Sequence, residues 1–358
     1  MLLNRLDLLQ FRNIKTATLD LSPGLNLIVG PNASGKTSLL EAIHTLATGR
    51  SFRSPRLDRL IQYGADQLQL IARTQDSSGH SHVLGLQRKA KKTQAKIDGE
   101  FVPKLTALVK LLPIHLIHPE THHLLEQGPR FRRQFLDWGV FHVEQSYLEV
   151  WQGYHRTLRQ RNALLRQRAT SQQIRAWNIP LADHAVILHK LRMRYVDLMR
   201  PHIQALANQL LDDEPQFNYE SGWSNSPNLL ELLEATLAAD RERGFTQHGA
   251  HRADLVITTQ QIPAQLHYSR GQQKLLISTF RLAHLQVLRQ LEQNAGILLV
   301  DDLPAELDRL RRGKLLQLLA SMGVQTLITA TDGDAINSDL WAESKTFHVE
   351  HGNITEVV

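Results

Sequence analysis

The sequence predicts an α/β fold in which both ends of the chain form one globular part and the middle forms a helical insertion. Short apolar runs at Leu25–Val29, Ile297–Val300 and residues 324–329 are typical of buried parallel strands. Amphipathic helical patterns follow the first two runs. Between residues 131 and 202, apolar residues recur mostly at spacings of three and four, which predicts two long helices.

The other elements follow in chain order. Apolar and polar residues alternate loosely over residues 2–11, and residues 17–21 form a second apolar run, so two N-terminal strands are expected. Pro180 is expected to interrupt the long helical region. Near the C-terminal end, Gly271 opens an apolar-periodic helix and residues 315–322 read as another helix.

Length and composition exclude several classes of protein. The chain has 358 residues, of which 42 % are hydrophobic and 21 % charged, an ordinary globular composition. Lys plus Arg, 41, minus Asp plus Glu, 35, gives a net charge of +6, which is compatible with a polyanionic partner without showing one. The chain has no cysteine, which excludes disulfides, a thiol nucleophile and a cysteine zinc site.

No segment has the composition of a membrane anchor or a secretion signal. No window approaches the roughly 20 apolar residues of a membrane helix. The first seven residues carry charges of both signs and no basic segment followed by an apolar run. We therefore expect a cytoplasmic protein without a membrane partner.

Residues 30–37, the phosphate loop, match the pattern G-x-x-x-x-G-K-[ST] in full. In such a loop, backbone N–H groups and a helix N-terminus face the phosphates, the lysine contacts the β and γ oxygens, and the final hydroxyl holds Mg²⁺. A chance glycine-rich turn is the alternative, but a strand precedes the loop and a helix follows it. The predicted ATP- and Mg²⁺-binding residues are Gly30, Pro31, Asn32, Ala33, Ser34, Gly35, Lys36 and Thr37.

Two carboxylates follow a buried apolar run, as a phosphate-loop protein requires. Asp301 comes directly after Ile297–Val300 and is predicted to hold Mg²⁺ beside Thr37. Asp302 is predicted to polarise the water that attacks the γ-phosphate. An acidic cap on the next turn is the alternative, and the complete phosphate loop favours the catalytic interpretation.

The segment Ser269-Arg270-Gly271-Gln272-Gln273-Lys274, the signature segment, distinguishes among phosphate-loop proteins. It stands before a helix, upstream of the Asp301 strand, where ABC-type ATPases carry their signature, usually Ser-Gly-Gly-Gln. In that class, the signature of one subunit closes on the γ-phosphate held by the other. A plain helix N-cap at Ser269 is the alternative interpretation.

Ala305-Glu306-Leu307-Asp308 matches the D-loop that crosses the dimer seam in ABC-type ATPases.

Two departures from the ABC-type pattern predict slow hydrolysis. Asp302 stands where a glutamate is usual, and residues 329–332, where a switch histidine is expected, contain no histidine. The chain is therefore expected to be at most a weak ATPase that uses hydrolysis as a switch.

Taken in order along nearly the whole chain, these motifs resemble the RecF family of bacterial recombination mediators, which are related to SMC ATPases. The resemblance is carried by Phe11-Arg12-Asn13, the phosphate loop with Leu40-Glu41-Ala42, Gly49-Arg50-Ser51-Phe52-Arg53, Gly128-Pro129, Arg132-Arg133-Gln134-Phe135-Leu136-Asp137, residues 248–255 and the signature segment.

The resemblance implies an ABC-type P-loop ATPase head built from both chain ends. Residues 1–118 and 246–358 would form the head, and residues 119–245 the inserted helical arm. Arg12 would contact ATP, Ser269, Arg270, Gly271 and Gln272 would act across an ATP-dependent homodimer, and Asp308 would belong to the D-loop. Partners implied are double- and single-stranded DNA at gaps and junctions, together with RecR and RecO, in loading RecA.

Basic clusters are candidates for DNA contacts, with a solvated basic surface as the alternative for each. Arg50, Arg53, Arg56 and Arg59 form one cluster. A second, in an expected hairpin, contains Arg88, Lys89, Lys91, Lys92 and Lys96. A third contains Arg156, Arg159, Arg161, Arg166, Arg168 and Arg175. Because no basic–aromatic alternation is present, contacts to the DNA backbone are expected.

A histidine-rich segment invites a zinc interpretation, which the sequence disfavours. His115, His118, His122 and His123 lie close together, but no cysteine supports them and Pro119 lies between. We expect a polar loop after a strand instead.

Three other functions stay open. A phosphotransferase should lack the signature segment, and a transporter ATPase subunit should keep a switch histidine. An SMC-like DNA scaffold with vestigial ATP binding would also fit the weak hydrolysis.

Overall fold

A computed structural model describes residues 1–90, 92–119, 123–223, 228–291, 294–303 and 307–357. The strands are β1 (Leu2–Phe11), β2 (Ile14–Asp20), β3 (Leu25–Val29), β4 (Gln67–Gln75), β5 (Ser81–Lys89), β6 (Lys92–Ile97), β7 (Glu100–Phe101), β8 (Ile114–Ile117), β9 (Gln216–Glu220), β10 (Asp254–Thr259), β11 (Ile262–Pro263), β12 (Ile297–Val300), β13 (Thr326–Ala330), β14 (Ser344–Glu350) and β15 (Asn353–Val357). The helices are α1 (Lys36–Thr48), α2 (Thr106–Leu111), α3 (His123–Glu126), α4 (Pro129–Val143), α5 (Tyr147–Arg166), α6 (Ser171–Arg175), α7 (Asn178–Leu210), α8 (Leu229–Ala235), α9 (Leu237–Arg243), α10 (Ala264–His267), α11 (Arg270–Gln290) and α12 (Arg309–Ser321).

The chain divides into two compact units. Unit 1 comprises residues 1–121 and 288–358, and unit 2 comprises residues 122–287. Both chain ends thus lie in unit 1, and the middle of the chain forms unit 2. The compact division places residues 246–287 with unit 2, whereas the sequence assigned them to the head. A division into compact units does not show which residues act with the ATPase head. The predicted domain boundaries therefore stay a prediction.

The first sheet of unit 1 is antiparallel, with strand order β2-β1-β4-β5-β6-β7. In β1, Leu3, Leu6 and Leu8 are buried while Asn4 and Leu9 are exposed, the alternation of a sheet with one face on the core. The expected hairpin of the second basic cluster is present, because β5 pairs with β6 in antiparallel register from Leu84–Ile97 to Lys89–Lys92.

The second sheet of unit 1 has strand order β15-β14-β3-β13-β12-β8. Its strands from β14 to β8 are parallel, and only the edge strand β15 is antiparallel. All four residues of β12 are buried, which explains its uninterrupted apolar sequence. Because the strands are parallel, the segments that follow β3, β8, β12 and β13 emerge at one edge of the sheet.

Helix α1 joins the two sheets into one core. Its residues Leu39, Leu40, Ile43 and Leu46 are fully buried in a cluster that includes residues of both sheets. The C-terminal end of α1 is closed by Gly49, whose φ of 67° lies in the left-handed region. The phosphate loop therefore leads into a helix whose position is set by the unit's hydrophobic core.

Unit 2 is built on long helices, as the sequence predicts. Helices α5 and α7 pack against each other, and β9, β10 and β11 form a small antiparallel sheet. Pro180 does not interrupt α7: it lies in the first turn, where a missing N–H removes no helical hydrogen bond. Within the described ranges, no helix is long and apolar enough to cross a membrane.

Candidate nucleotide-binding site

The phosphate loop has the backbone geometry that an anion cradle requires. It connects β3 to α1, with Gly30 at φ 156° and Gly35 at φ 126°. A Cβ atom on Gly30 would lie 2.2 Å from the carbonyl oxygen of Val349, so no larger residue fits there. Asn13 donates from Nδ2 to the carbonyl oxygen of Ser34 at 2.9 Å and so fixes the far side of the loop.

Lys36 is buried and held by the loop itself. Its side-chain nitrogen Nζ donates to the carbonyl oxygens of Gly30, at 2.8 Å, and Pro31, at 2.9 Å. Burial lowers the pKa of the Lys36 ammonium, while the charges of Asp302 and Asp301 act in the opposite direction. The lysine is thus a sequestered cation that weak carbonyl partners hold in the loop.

Asp301 and Thr37 meet as predicted, at the carboxyl edge of the parallel sheet. The Thr37 hydroxyl donates to Asp301 Oδ1 at 3.0 Å and lies 3.1 Å from Oδ2. Thr329, in β13, donates to Asp301 Oδ1 at 2.8 Å. Burial raises the pKa of Asp301, and the hydrogen bonds from Thr329 and Thr37 partly oppose this effect.

Asp302 occupies a constrained position next to Asp301. Its backbone φ is 53°, and its N–H donates to Thr329 Oγ1 at 2.7 Å. Within the described residues, its buried Oδ1 has no hydrogen-bond partner. Thr329 therefore orients both acidic residues. The sequence analysis singled out residue 329 only as part of the segment where a switch histidine is expected, and did not predict this role.

A cavity of 1320 Å³ opens above these residues, which is ample for a nucleoside triphosphate. Its lining includes Lys36, Thr37, Asp301, Asp302 and Arg12. The hydroxyl of Thr37 and the carboxylate of Asp301 are hard oxygen donors of the kind that Mg²⁺ prefers, and Mg²⁺ commonly completes its shell with phosphate oxygens and water. The donor set therefore fits the predicted cation.

Arg12 lines this cavity and is held in place by a buried carboxylate. It donates to both oxygens of Glu41 at 2.9 Å and 2.6 Å, and Glu41 is fully buried in α1. Arg53 lies 3.5 Å from the same carboxylate, and Ser51 also donates to it. Two segments that carry the family resemblance thus contact Glu41, which belongs to a third. The sequence did not reveal this role of Glu41.

The signature segment lies in unit 2 at the start of α11. Ser269 accepts from the N–H of Gln272 at 3.4 Å and donates to Gln272 Oε1 at 2.9 Å, so it does form a helix cap. Gln273 is buried and donates to the carbonyl oxygens of Gln265 and Tyr268, both at 2.9 Å. The cap leaves Arg270 exposed, and the trans role of Ser269, Arg270, Gly271 and Gln272 stays a prediction.

Asp308 caps helix α12, accepting from the N–H of Arg311 at 2.9 Å. Ala305 and Glu306 of the D-loop pattern lie outside the described residues, so the D-loop role of Asp308 also stays a prediction.

The proposed DNA contacts separate into distinct environments. Arg53 lines the nucleotide cavity, whereas Arg56, Lys89 and Lys92 are exposed on unit 1. Lys91 lies outside the described residues. The prediction for Arg161 was wrong: it is fully buried and its Nη1 donates to Asp240 at 2.8 Å. Apolar spacing alone did not reveal that this arginine of α5 faces inward.

The histidine segment begins within a strand, and residues 120–122, where the expected loop would continue, lie outside the described residues. His115 lies in β8, buried, with Nε2 2.8 Å from the carbonyl oxygen of Ala295. His118 follows the strand and lines the nucleotide cavity beside Phe52, at a ring-centroid distance of 5.2 Å. His122 and the side chain of His123 lie outside the described part. Among the described residues, no group of acidic or histidine side chains is arranged to hold a metal without other ligands.

The fold and the site define an ABC-type P-loop head of the SMC class. Residues 2–355 match the family described as RecF/RecN/SMC N terminal domain. The fold is similar to a solved structure of "the recombination mediator protein RecF-ATP in RecFOR pathway", with a TM-score of 0.88 and 24 % identity over 100 % of this chain and 98 % of the other. An Smc head domain from Pyrococcus furiosus is similar at a TM-score of 0.63 and 14 % identity, over 99 % of this chain and 96 % of that one.

Named relatives narrow the class. The DNA replication and repair protein RecF of Shewanella piezotolerans is 41 % identical over 360 residues, covering 100 % of both chains. RecF of Hydrogenovibrio crunogenus is 39 % identical over 354 residues, covering 98 % of each. The chain belongs to the RecF family of DNA replication and repair proteins.

Proposed function

We propose that the chain is an ATP-dependent DNA-binding protein of recombinational repair. ATP closes two copies into a dimer, the dimer binds DNA gaps and junctions between single and double strands, and it acts with RecR and RecO to load RecA. The observation that carries the proposal is the meeting of Lys36, Thr37, Asp301 and Asp302 in one cavity of unit 1. Family membership supports the repair role, and we place the protein in the cytoplasm, at the nucleoid.

ATP binding would begin with Lys36. Its ammonium exchanges the carbonyl oxygens of Gly30 and Pro31 for phosphate oxygens, which carry full negative charge and are stronger acceptors. Arg12, held by Glu41, adds a second cation at the cavity wall. When bound, Mg²⁺ would neutralise charge on the phosphates, and Thr37 and Asp301 are the residues that would hold it.

Hydrolysis would use Asp302 as the base. Its Oδ1, without a partner among the described residues, is available to accept a proton from water as the water oxygen attacks the γ-phosphorus and the bond to the β-phosphate oxygen breaks. Thr329 positions this residue through its N–H. Asp302 in place of the usual glutamate, and the absence of a histidine from residues 329–332, favour slow turnover. ATP therefore serves as a switch.

The first test compares two variants at the nucleotide site. Lys36→Met is expected to abolish ATP binding and ATP-dependent dimerisation while the protein stays folded, because it removes the buried cation of the loop. Asp302→Asn is expected to bind ATP and dimerise without hydrolysing it, and its dimer should last longer on gapped DNA. Equilibrium binding of a fluorescent ATP analogue, light scattering and phosphate release measure the three steps.

The outcomes separate the alternatives. ATP-dependent dimerisation that survives in Lys36→Met would contradict the assigned role of this residue. If Asp302→Asn hydrolyses ATP as fast as the wild type, a scaffold with vestigial ATPase activity would be favoured. Asp302, in place of the usual glutamate, already makes such a scaffold the second candidate. Phosphate transfer to a small acceptor, without dimerisation, would favour a phosphotransferase.

The second test asks whether the signature segment acts in trans. Ser269→Arg should keep ATP binding by the monomer but block dimerisation, because a bulky cation would replace the small residue at the start of α11. In a mixture of Ser269→Arg with Lys36→Met, one composite site of each mixed dimer carries both changes and the other carries neither. Part of the ATP-dependent pairing should return on mixing. Normal dimerisation of Ser269→Arg alone would overturn the trans assignment.

A further inference from the structure

Unit 2 contains a second cavity, of 560 Å³, that the proposed ATP chemistry does not use. Its lining combines two aromatic rings with three basic side chains and contains no carboxylate among the described residues. The lining residues are Gly222, Trp223, Leu232, Arg243, Phe245, Gln247, His248 and Arg252. The cavity is therefore an aromatic and basic pocket, which we call the unit 2 pocket.

Residues 248–255, which carry the family resemblance, contain two sets of polar residues with different surroundings. The first set is half-buried and has structural partners: His251 lies 2.7 Å from the hydroxyl of Tyr154, and Asp254 accepts two hydrogen bonds from Arg132, at 2.7 Å and 2.8 Å. The other set, His248 and Arg252, lines the pocket. Side-chain hydrogen bonds account for the first set, and no such bond in the described part of the chain accounts for the second.

The basic side chains are available to an anion. Within the described part of the chain, Arg243, His248 and Arg252 form no ion pair with a carboxylate. Arg252 instead stacks its guanidinium over the ring of Phe245, with a distance of 5.4 Å to the centroid. Arg243 and Arg252 are exposed, so their charges reach a ligand that enters from solvent.

The two aromatic rings offer surfaces for a planar group. Phe245 is 38 % exposed, so part of its ring is open to a ligand. Trp223 lines the pocket, is 8 % exposed and packs against His189 at a ring-centroid distance of 5.3 Å. Aromatic faces beside arginines are the combination with which proteins hold unpaired nucleic-acid bases and their phosphates.

We propose that the unit 2 pocket binds one unpaired nucleotide of single-stranded DNA, with the base against Phe245 and Trp223 and the phosphate against Arg243 and Arg252. A base in a duplex cannot enter, because its faces are covered by stacking neighbours. The inference rests on the proposed DNA binding and adds to it a site in unit 2 that selects the single-stranded side of a gap or junction.

The test measures binding of a fluorescein-labelled 20-nucleotide oligo(dT) and of a 20-base-pair duplex by anisotropy, without ATP. Phe245→Ala and Arg243→Gln should each weaken oligo(dT) binding about tenfold and leave duplex binding unchanged. Arg241→Gln is the matched control: Arg241 lies two residues away on the same helix, donates to Ser171 and does not line the pocket. It should weaken oligo(dT) binding less than twofold.

Further readouts separate the possible outcomes. Arg252→Gln repeats the test should Phe245→Ala fail to fold, which circular dichroism reports. An excess of dTMP that displaces oligo(dT) as readily as unlabelled oligo(dT) would show a free-nucleotide site and overturn the strand assignment. Equal weakening by Arg241→Gln and Arg243→Gln, or equal loss of duplex binding, would show a general basic surface and overturn it too.

Failure of this proposal is distinguishable from failure of the proposed function. If the wild-type protein binds gapped DNA with ATP but the pocket variants bind oligo(dT) normally, the unit 2 pocket is overturned and the repair function stands. If the wild-type protein binds neither DNA, both are overturned.

Discussion

Buried charges are arranged in opposite ways in the nucleotide site of unit 1 and in the helical core of unit 2. In unit 1, burial lowers the pKa of Lys36 and raises that of Asp301, so each charged form is disfavoured. In unit 2, burial alone would lower the pKa of Arg192, but the charge and hydrogen bond of Asp137 together with Tyr219 and Tyr147 more than offset burial, and the pKa is raised. The nucleotide site and the Arg192–Asp137 pair therefore stabilise their buried charges to different degrees.

The hydrogen bonds explain this contrast. Arg192 makes two bonds to Asp137, at 2.7 Å and 3.0 Å, and a third to the carbonyl oxygen of Ala250 at 2.8 Å. Lys36 has only carbonyl partners, and Asp302 Oδ1 has none among the described residues. Buried charges with complete partners stabilise a fold, whereas buried charges without them mark a place where a ligand completes the set.

The largest effect is expected from breaking the buried network around Arg161 in unit 2. Asp240→Ala leaves the buried guanidinium of Arg161 without its carboxylate and should lower the free energy of unfolding by about 3–5 kcal/mol. Urea unfolding followed by tryptophan fluorescence measures this change. Four of the five tryptophans lie in unit 2 and only Trp341 lies in unit 1, so the signal reports mainly on unit 2.

Asp197→Ala is the control for that prediction. It removes an i,i+3 pair whose side chains are 67 % and 44 % exposed, and should change the stability by less than about 1 kcal/mol. Equal effects of the two substitutions would show that the buried pairing of Arg161 contributes no more to stability than an exposed ion pair does.

A smaller, pH-dependent effect is expected at His251. Burial is the main reason that its pKa is lowered to about 4, from 6.5 for the unfolded chain. As the pH falls from 6.5 towards 4, the unfolded chain takes up a proton that the folded protein does not. Stability should therefore fall in this window, by up to about 3 kcal/mol from this group.

His251→Gln tests the assignment. The difference in unfolding free energy between pH 7 and pH 4.5 should be smaller in the variant than in the wild type. Between pH 7 and pH 8, the two proteins should show the same slope. An unchanged loss of stability on acidification in His251→Gln would show that other groups carry it.

The smallest effect, of opposite sign, is expected at the nucleotide site. Asp302→Asn removes a negative charge beside Asp301 and should stabilise the nucleotide-free protein by about 1 kcal/mol, as often happens where function requires strained or unpaired groups. Asparagine also tolerates the φ of 53°. Differential scanning calorimetry without nucleotide measures the change.

Asp308→Asn provides the comparison for that experiment. It makes the same chemical change at a helix cap, where asparagine and aspartate are equivalent, and should be neutral. If Asp302→Asn is destabilising, the charge of Asp302 is already compensated within the protein and does not await a ligand.

The sequence alone was sufficient for the features that depend on local pattern. The phosphate loop, the buried run before Asp301 and the helical middle of the chain each follow a local spacing that predicts one kind of element. Parallel strands bring their carboxyl ends to one edge, so the meeting of Thr37 and Asp301 was also predictable. The SMC-like fold followed from the order of the motifs, and the family match confirms it.

The tertiary structure alone decided which polar residues are buried and with what they pair. Glu41, Thr329 and Arg161 lie in elements whose pattern says nothing about their partners, which come from residues 29, 28 and 79 positions away in the chain. Hydrogen bonds between distant segments depend on how the elements pack, because a shift of an ångström breaks them. Local spacing determines the elements and the phosphate loop; packing determines which charges are neutralised within the protein and which await a ligand.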